Sequence, residues 1–204
     1  MRRACFLLLA LTALFATPAL AAKGFPTTLA GFTLGDSVER YEDYCREGEA
    51  IPLSDAPFLS ESQLKAENLP GVRGGSLAFG NCESEGRLVR IKLKFADRGQ
   101  GLFNKLYDRY EASFGKPDKY LGDAFKNVIA WQWRFEDGKG GRVSLVLMWS
   151  RDKEIRPGVS IKMTQETMMD EEFKCYKDMH KGSMGKMDKM GKTRIGSLDA
   201  YVPR

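Results

Sequence analysis

A single histidine, His180, stands among the 204 residues, which leaves little room for imidazole-based triads or for metal centres built from several histidines. Carboxylates are plentiful, but no pair sits in a motif that sets an acid against a base. The glycine-rich stretches at residues 71–75 and 138–141 lack the Gly-Lys-Ser/Thr end of a phosphate loop and do not lead from a strand into a helix. They read as turns. Beyond residue 21 no apolar run is long enough to span a bilayer, and the residue directly after Ala21 is alanine, not a cysteine that could carry a lipid. Enzymatic function has no positive signature, and a spanning anchor is excluded.

What is present first is an export signal. Arg2 and Arg3 precede an apolar run from Phe6 to Phe15, and Pro18 leads to the small-residue end Ala19-Leu20-Ala21. This predicts a secretory signal peptide over residues 1–21, cleaved after Ala21 and using the general secretory route, with the mature protein periplasmic or secreted. Removing it leaves 30 Lys and Arg against 27 Asp and Glu. That excess is too mild for nucleic acid. It is also uneven: residues 172–204 hold eight basic and four acidic side chains, so the basicity belongs to the tail.

Cys45, Cys82 and Cys175 remain after export, and in an oxidising compartment two of three thiols are expected to bridge. Cys45 with Cys82 is the expected pair, leaving Cys175 odd. A bridge from Cys175 to either of the others would instead fold the last helix back onto the domain.

Along the chain, Asp36 and Glu39 form a helix start, with Val38, Tyr41 and Cys45 on one face. Residues 46–75 are proline-broken and glycine-ended, and read as an irregular connection with a short helix after Ser60, a candidate binding loop. Period-two alternation then predicts strands over 76–82 and 88–95, with Val89, Ile91, Leu93 and Phe95 on one face. Leu102, Phe103, Leu106, Tyr110 and Phe114 recur at helical spacing, ended by Gly115 and Pro117. Strands over 129–135, 143–149 and 159–163 follow, and Thr167-x-x-Asp170 opens a last helix whose apolar stripe is interrupted by Glu172. The expected fold is α+β, with an antiparallel sheet of about five strands, a hairpin plus a three-stranded meander, in the order α-β-β-α-β-β-β-α. One domain over 22–164 is followed by a helix over 165–182 and a mobile tail over 183–204 rich in Met, Lys and Gly.

At Phe32-x-Leu34-Gly35-Asp36-Ser37 and Phe114-Gly115-Lys116-Pro117 the chain resembles small bacterial envelope domains of the SmpA/BamE kind and of the related β-lactamase-inhibitor-protein fold. The resemblance implies a domain that acts by binding other proteins, and it assigns no functional residue.

Two surfaces are candidates for function. Arg90, Lys92 and Lys94 form a basic row that an envelope protein or an anionic membrane surface could meet. Cys175, Met179, His180, Met184, Met187 and Met190 gather soft sulfur donors and one imidazole in one segment, a set suited to Cu(I) or Ag(I). Trp131, Trp133 and Phe135 share a strand face, and core packing is the expected role. The primary expectation is a non-catalytic binding or scaffold module without a cofactor; soft-metal binding is the alternative.

Overall fold

A computed structural model describes residues 24–181 apart from 47, 49–50, 54–55 and 154–156. The expected export signal, Met184, Met187, Met190 and the expected tail lie outside the described residues. Among the described residues, ten strands and two α-helices run β1 (Thr28–Leu29), β2 (Phe32–Thr33), β3 (Ile51–Pro52), β4 (Leu59–Gln63), β5 (Val72–Gly80), β6 (Leu88–Phe95), α1 (Gln100–Phe114), β7 (Lys119–Tyr120), β8 (Val128–Glu136), β9 (Arg142–Ser150), β10 (Gly158–Gln165) and α2 (Glu166–Met179). β1 and β2 form a small ribbon, and the other eight strands form one antiparallel sheet in the order β3-β4-β5-β6-β10-β9-β8-β7.

The class is α+β as expected, but the sheet has eight strands rather than about five. The difference lies mostly in residues 46–75, which are not a loop. They supply β3, β4, a 3-10 turn at Ala66–Asn68 and the start of β5. β4 reads Leu-Ser-Glu-Ser-Gln, so only the fully buried Leu59 marks its inward face and the apolar alternation that reveals a strand is missing. The first helix is likewise a 3-10 segment, Val38–Tyr44, without a side-chain cap. Asp36 instead accepts a 2.7 Å bond from the Tyr41 hydroxyl and pairs with Arg40 at 3.0 Å, which pins the segment to the core through Tyr41.

Each face of the sheet carries one α-helix. On the first, α1 and the N-terminal segment cover the main core, including Leu77, Phe79, Ile91, Leu93, Trp133, Leu145, Leu147, Ile161 and Met163. On the second, α2 crosses β9, β10, β6 and β5, and Met168 and Met169 pack over Leu59, Ala78 and Val89. Val89 therefore lies on the opposite face from Ile91, correcting the expected single stripe. A register irregularity between Ala78 and Phe79, which pair with Arg90 and Leu88, leaves Val89 as the extra residue. A one-residue bulge of this kind reverses the facing of what precedes it, so Leu88 enters the main core and Val89 turns under α2. Among the described residues no helix is long and apolar enough to cross a membrane.

Candidate functional site

The helix α1 presents Phe103, Tyr107, Tyr110 and Phe114 to β8, whose Trp131, Trp133 and Phe135 point the same way because alternate strand residues share a face. The rings interleave as a ladder: Tyr107 to Trp131 at 6.2 Å, Tyr110 to Trp133 at 5.6 Å edge-on, and Phe114 to Phe135 at 5.1 Å edge-on. Offset and edge-to-face pairs at such spacings are the favoured geometries of aromatic quadrupoles. At the Trp133 end the ladder is closed. Trp133 is 0% exposed, and its indole N–H donates to the Gly115 carbonyl at 2.8 Å, where the chain leaves α1. Burial there pushes the Tyr110 phenol up to about 12.

At the other end the ladder opens. Phe103, Tyr107, Ile129, Trp131 and Tyr120 wall a cleft of about 290 Å³. Gln100, Asn104 and Asp108, four apart along one stripe of α1, fence one side, and Lys126 stands on the other. Tyr120 packs edge-on against Trp131 at 4.8 Å, held there because β7 pairs Tyr120 with Trp131 across the sheet edge.

The loop between β7 and β8 completes this surface. Asp123 accepts backbone N–H bonds from Phe125 at 2.7 Å, from Asn127 at 3.2 Å and from Val128. Those bonds, the one from Val128 foremost, hold its carboxyl below the usual carboxylate range. The Tyr120 hydroxyl donates to the Asp123 carbonyl at 3.1 Å, tying the loop to the cleft wall. Phe125, thus fixed, is 84% exposed. A turn is built of polar residues as a rule, and here the aspartate-capped turn holds Phe125 outward next to the exposed Tyr120 and Leu121. Residue spacing did not reveal this cleft. The available signals were the aromatic inside the Asp-x-Phe turn and the polar stripe of Gln100, Asn104 and Asp108 beside the aromatic one.

The cysteines pair differently from expectation. Cys82 is bridged to Cys175, their Cα atoms 6.0 Å apart, and Cys45 is a buried free thiol. The physical reason is their placement. Cys45 belongs to the main core on the α1 face, where burial pushes its thiol up, whereas Cys82 lies in the turn after β5, reached from the α2 side. The bridge folds the last helix onto the domain. Glu172, which reads in the sequence as a break in the apolar stripe, is the other half of this junction. It is 0% exposed, and its carboxylate accepts the backbone N–H of Asn81 and of Cys82, both at 2.9 Å, and that of Ser84. Gly80 leaves room for it: a Cβ there would lie 2.6 Å from the carboxylate oxygen.

Of the soft-donor set, Cys175 is bridged, Met179 Sδ lies 3.9 Å from Cys82 Sγ, and His180 stacks on Tyr176 with Nδ1 2.8 Å from the Tyr176 carbonyl. Met184, Met187 and Met190 lie outside the described residues. Among the described residues no group of three or more His, Cys, Asp or Glu side chains could hold an ion. Arg90 is turned under α2, its guanidinium 3.8 Å from Met169 Sδ, while Lys92 and Lys94 lie half-buried further along the same face, across the sheet from the aromatic cleft. The basic row and the cleft are thus separate surfaces.

Comparison of the chain with family models, curated proteins and solved structures finds no match, so the site rests on its own geometry.

Proposed function

We propose that the protein is an exported, non-catalytic binding module that grips an envelope protein through the open end of the aromatic ladder. Phe125 serves as the projecting anchor and the cleft beside it as the receiving pocket. The carrying observation is the juxtaposition of an 84% exposed phenylalanine on a turn fixed by Asp123 with an aromatic cleft of about 290 Å³. Buried aromatic anchors seated in preformed pockets dominate protein interfaces, and burying one phenylalanine contributes roughly 1.5 to 3 kcal/mol. Because the turn and the cleft walls are already hydrogen-bonded, little ordering entropy is lost on association. The signal-like residues 1–21 support an envelope location, and the resemblance at Phe32-x-Leu34-Gly35 points to the same mode of action.

Photocrosslinking tests this reading. With a photoreactive phenylalanine at position 125, envelope extract yields discrete adducts that Trp131→Ala removes, while the same probe at the exposed Ile51 of β3, on the opposite sheet edge, yields none of them. Identical adducts from both positions, or adducts indifferent to Trp131→Ala, would contradict it.

A further inference from the structure

We propose that the Cys82–Cys175 junction is a redox-gated Cu(I) site, with the two cysteines and Met179 as its sulfur ligands. The bridge hides two thiolates beside a thioether that is already positioned. Met179 Sδ stands 3.9 Å from Cys82 Sγ. With metal–sulfur bonds of about 2.3 Å, two sulfurs on one ion stand about 3.8 Å apart in a tetrahedral site and about 4.0 Å apart in a trigonal one. The observed separation, a packing contact in the bridged form, already matches the spacing two ligands on one ion would need.

Cys175 and Met179 are four apart on α2 and share a face of the helix. Both cysteines are half-exposed and Met179 is 64% exposed, so a reductant and an ion can reach the cluster from solvent. When the bridge opens, the carboxylate of Glu172, one turn before Cys175, still holds the backbone of Asn81, Cys82 and Ser84 against α2. The thiols remain facing each other. Two thiolates and a thioether are soft donors, the set that selects Cu(I) over harder ions. Sequence spacing alone placed copper on Cys175 and the tail methionines; the structure adds Cys82, which no spacing connects to them.

The chemistry balances as follows. A dithiol reductant gives two electrons and two protons to the bridge, becomes a disulfide, and leaves Cys82 and Cys175 as thiols. Cu(I) then displaces both thiol protons to solvent and adds the Met179 lone pair, with no change in the metal's oxidation state. Affinity accordingly falls with acidity, because the two protons compete with the ion.

The test uses the chain without residues 1–21 in a Cys45→Ser background, so that only the two junction thiols report. The protein is reduced with dithiothreitol, desalted without oxygen, and titrated with Cu(I) against a colorimetric chelator, beside the same protein left oxidised. The expected result is one equivalent of Cu(I) withdrawn by the reduced form only, and an affinity lowered by about 10-fold or more in Met179→Leu as one of three soft ligands is lost. Met179 is exposed enough that this substitution leaves folding intact. In a Met184/Met187/Met190→Leu background the gain on reduction should persist. Equal copper uptake by oxidised and reduced forms, an unchanged affinity in Met179→Leu, or a gain that vanishes with the three tail methionines would each overturn the proposal.

Discussion

The two faces of the sheet hold their helices by different means. α1 sits on rings and aliphatic side chains spread along β8, β9 and β10, each contact modest and the sum large. α2 adds to the packing of Met168, Met169 and Phe173 a set of point contacts: the Glu172 carboxylate on three backbone N–H groups, the Cys82–Cys175 bridge, Glu166 on the Ser144 hydroxyl, and Asp170 on Arg142 at 2.6 Å. A face made by packing depends on its largest buried rings and leaves room for a cleft where the packing runs out. A face that adds specific bonds can also be loosened one bond at a time, by one substitution or one reagent.

Substitutions measure that contrast. The largest effect belongs to the packed face: Trp133→Ala should cost about 3 to 5 kcal/mol in denaturant unfolding, since it empties a fully buried indole site and orphans the Gly115 carbonyl. On the other face Glu172→Gln keeps the shape but turns an NH2 group toward backbone donors, and about 2 kcal/mol should be lost. Hydrogen exchange of Asn81, Cys82 and Ser84 should rise in the same variant. If their exchange is unchanged, the carboxylate is not what holds the turn.

Alkali should loosen the α1 face in particular. The Tyr110 phenol is pushed up to about 12 by burial, so its contribution is intact below the ordinary phenol value of about 10 and declines as pH rises from there toward about 12. The loss amounts to roughly 2 to 3 kcal/mol, and Tyr110→Phe should flatten the part of the alkaline unfolding curve that it causes. Smallest of all is Arg142→Ala. Its ion pair with Asp170 is solvent-exposed, so the change in midpoint should stay within about 0.5 kcal/mol.

The same contrast explains what the sequence made legible. α1 and strands β6, β8, β9 and β10 are visible because packed faces write a period of 3.6 or 2 into the chain, and Phe103, Tyr110, Trp133 and Leu145 follow it. β3 and β4 have too few apolar residues to show a period, and the bulge at Val89 breaks the period where the chain changes faces. Point contacts leave no period at all. Glu172 therefore looks like a flaw in an apolar stripe, and Cys82 looks like a partner for Cys45, although Cys45 is buried in the main core and Cys82 lies in the turn beyond β5, bridged to α2. The cleft is half legible: its walls read as core because they continue the core ladder, and the outward Phe125 with the polar stripe of Gln100, Asn104 and Asp108 marks where the ladder stops.

Trp131 and Trp133 lie two residues apart on one face of β8, one at the open end of the ladder and one at the closed end, so they separate recognition from folding. The direct measurement is partner binding by the Trp131→Ala protein, followed by crosslinking from position 125 and set beside its thermal melt. Binding should be lost while the protein still unfolds cooperatively, with a smaller loss of stability than Trp133→Ala because Trp131 is only partly buried. A Trp131→Ala protein that folds and captures the same partner undiminished would contradict the assignment of the open cleft as the binding site.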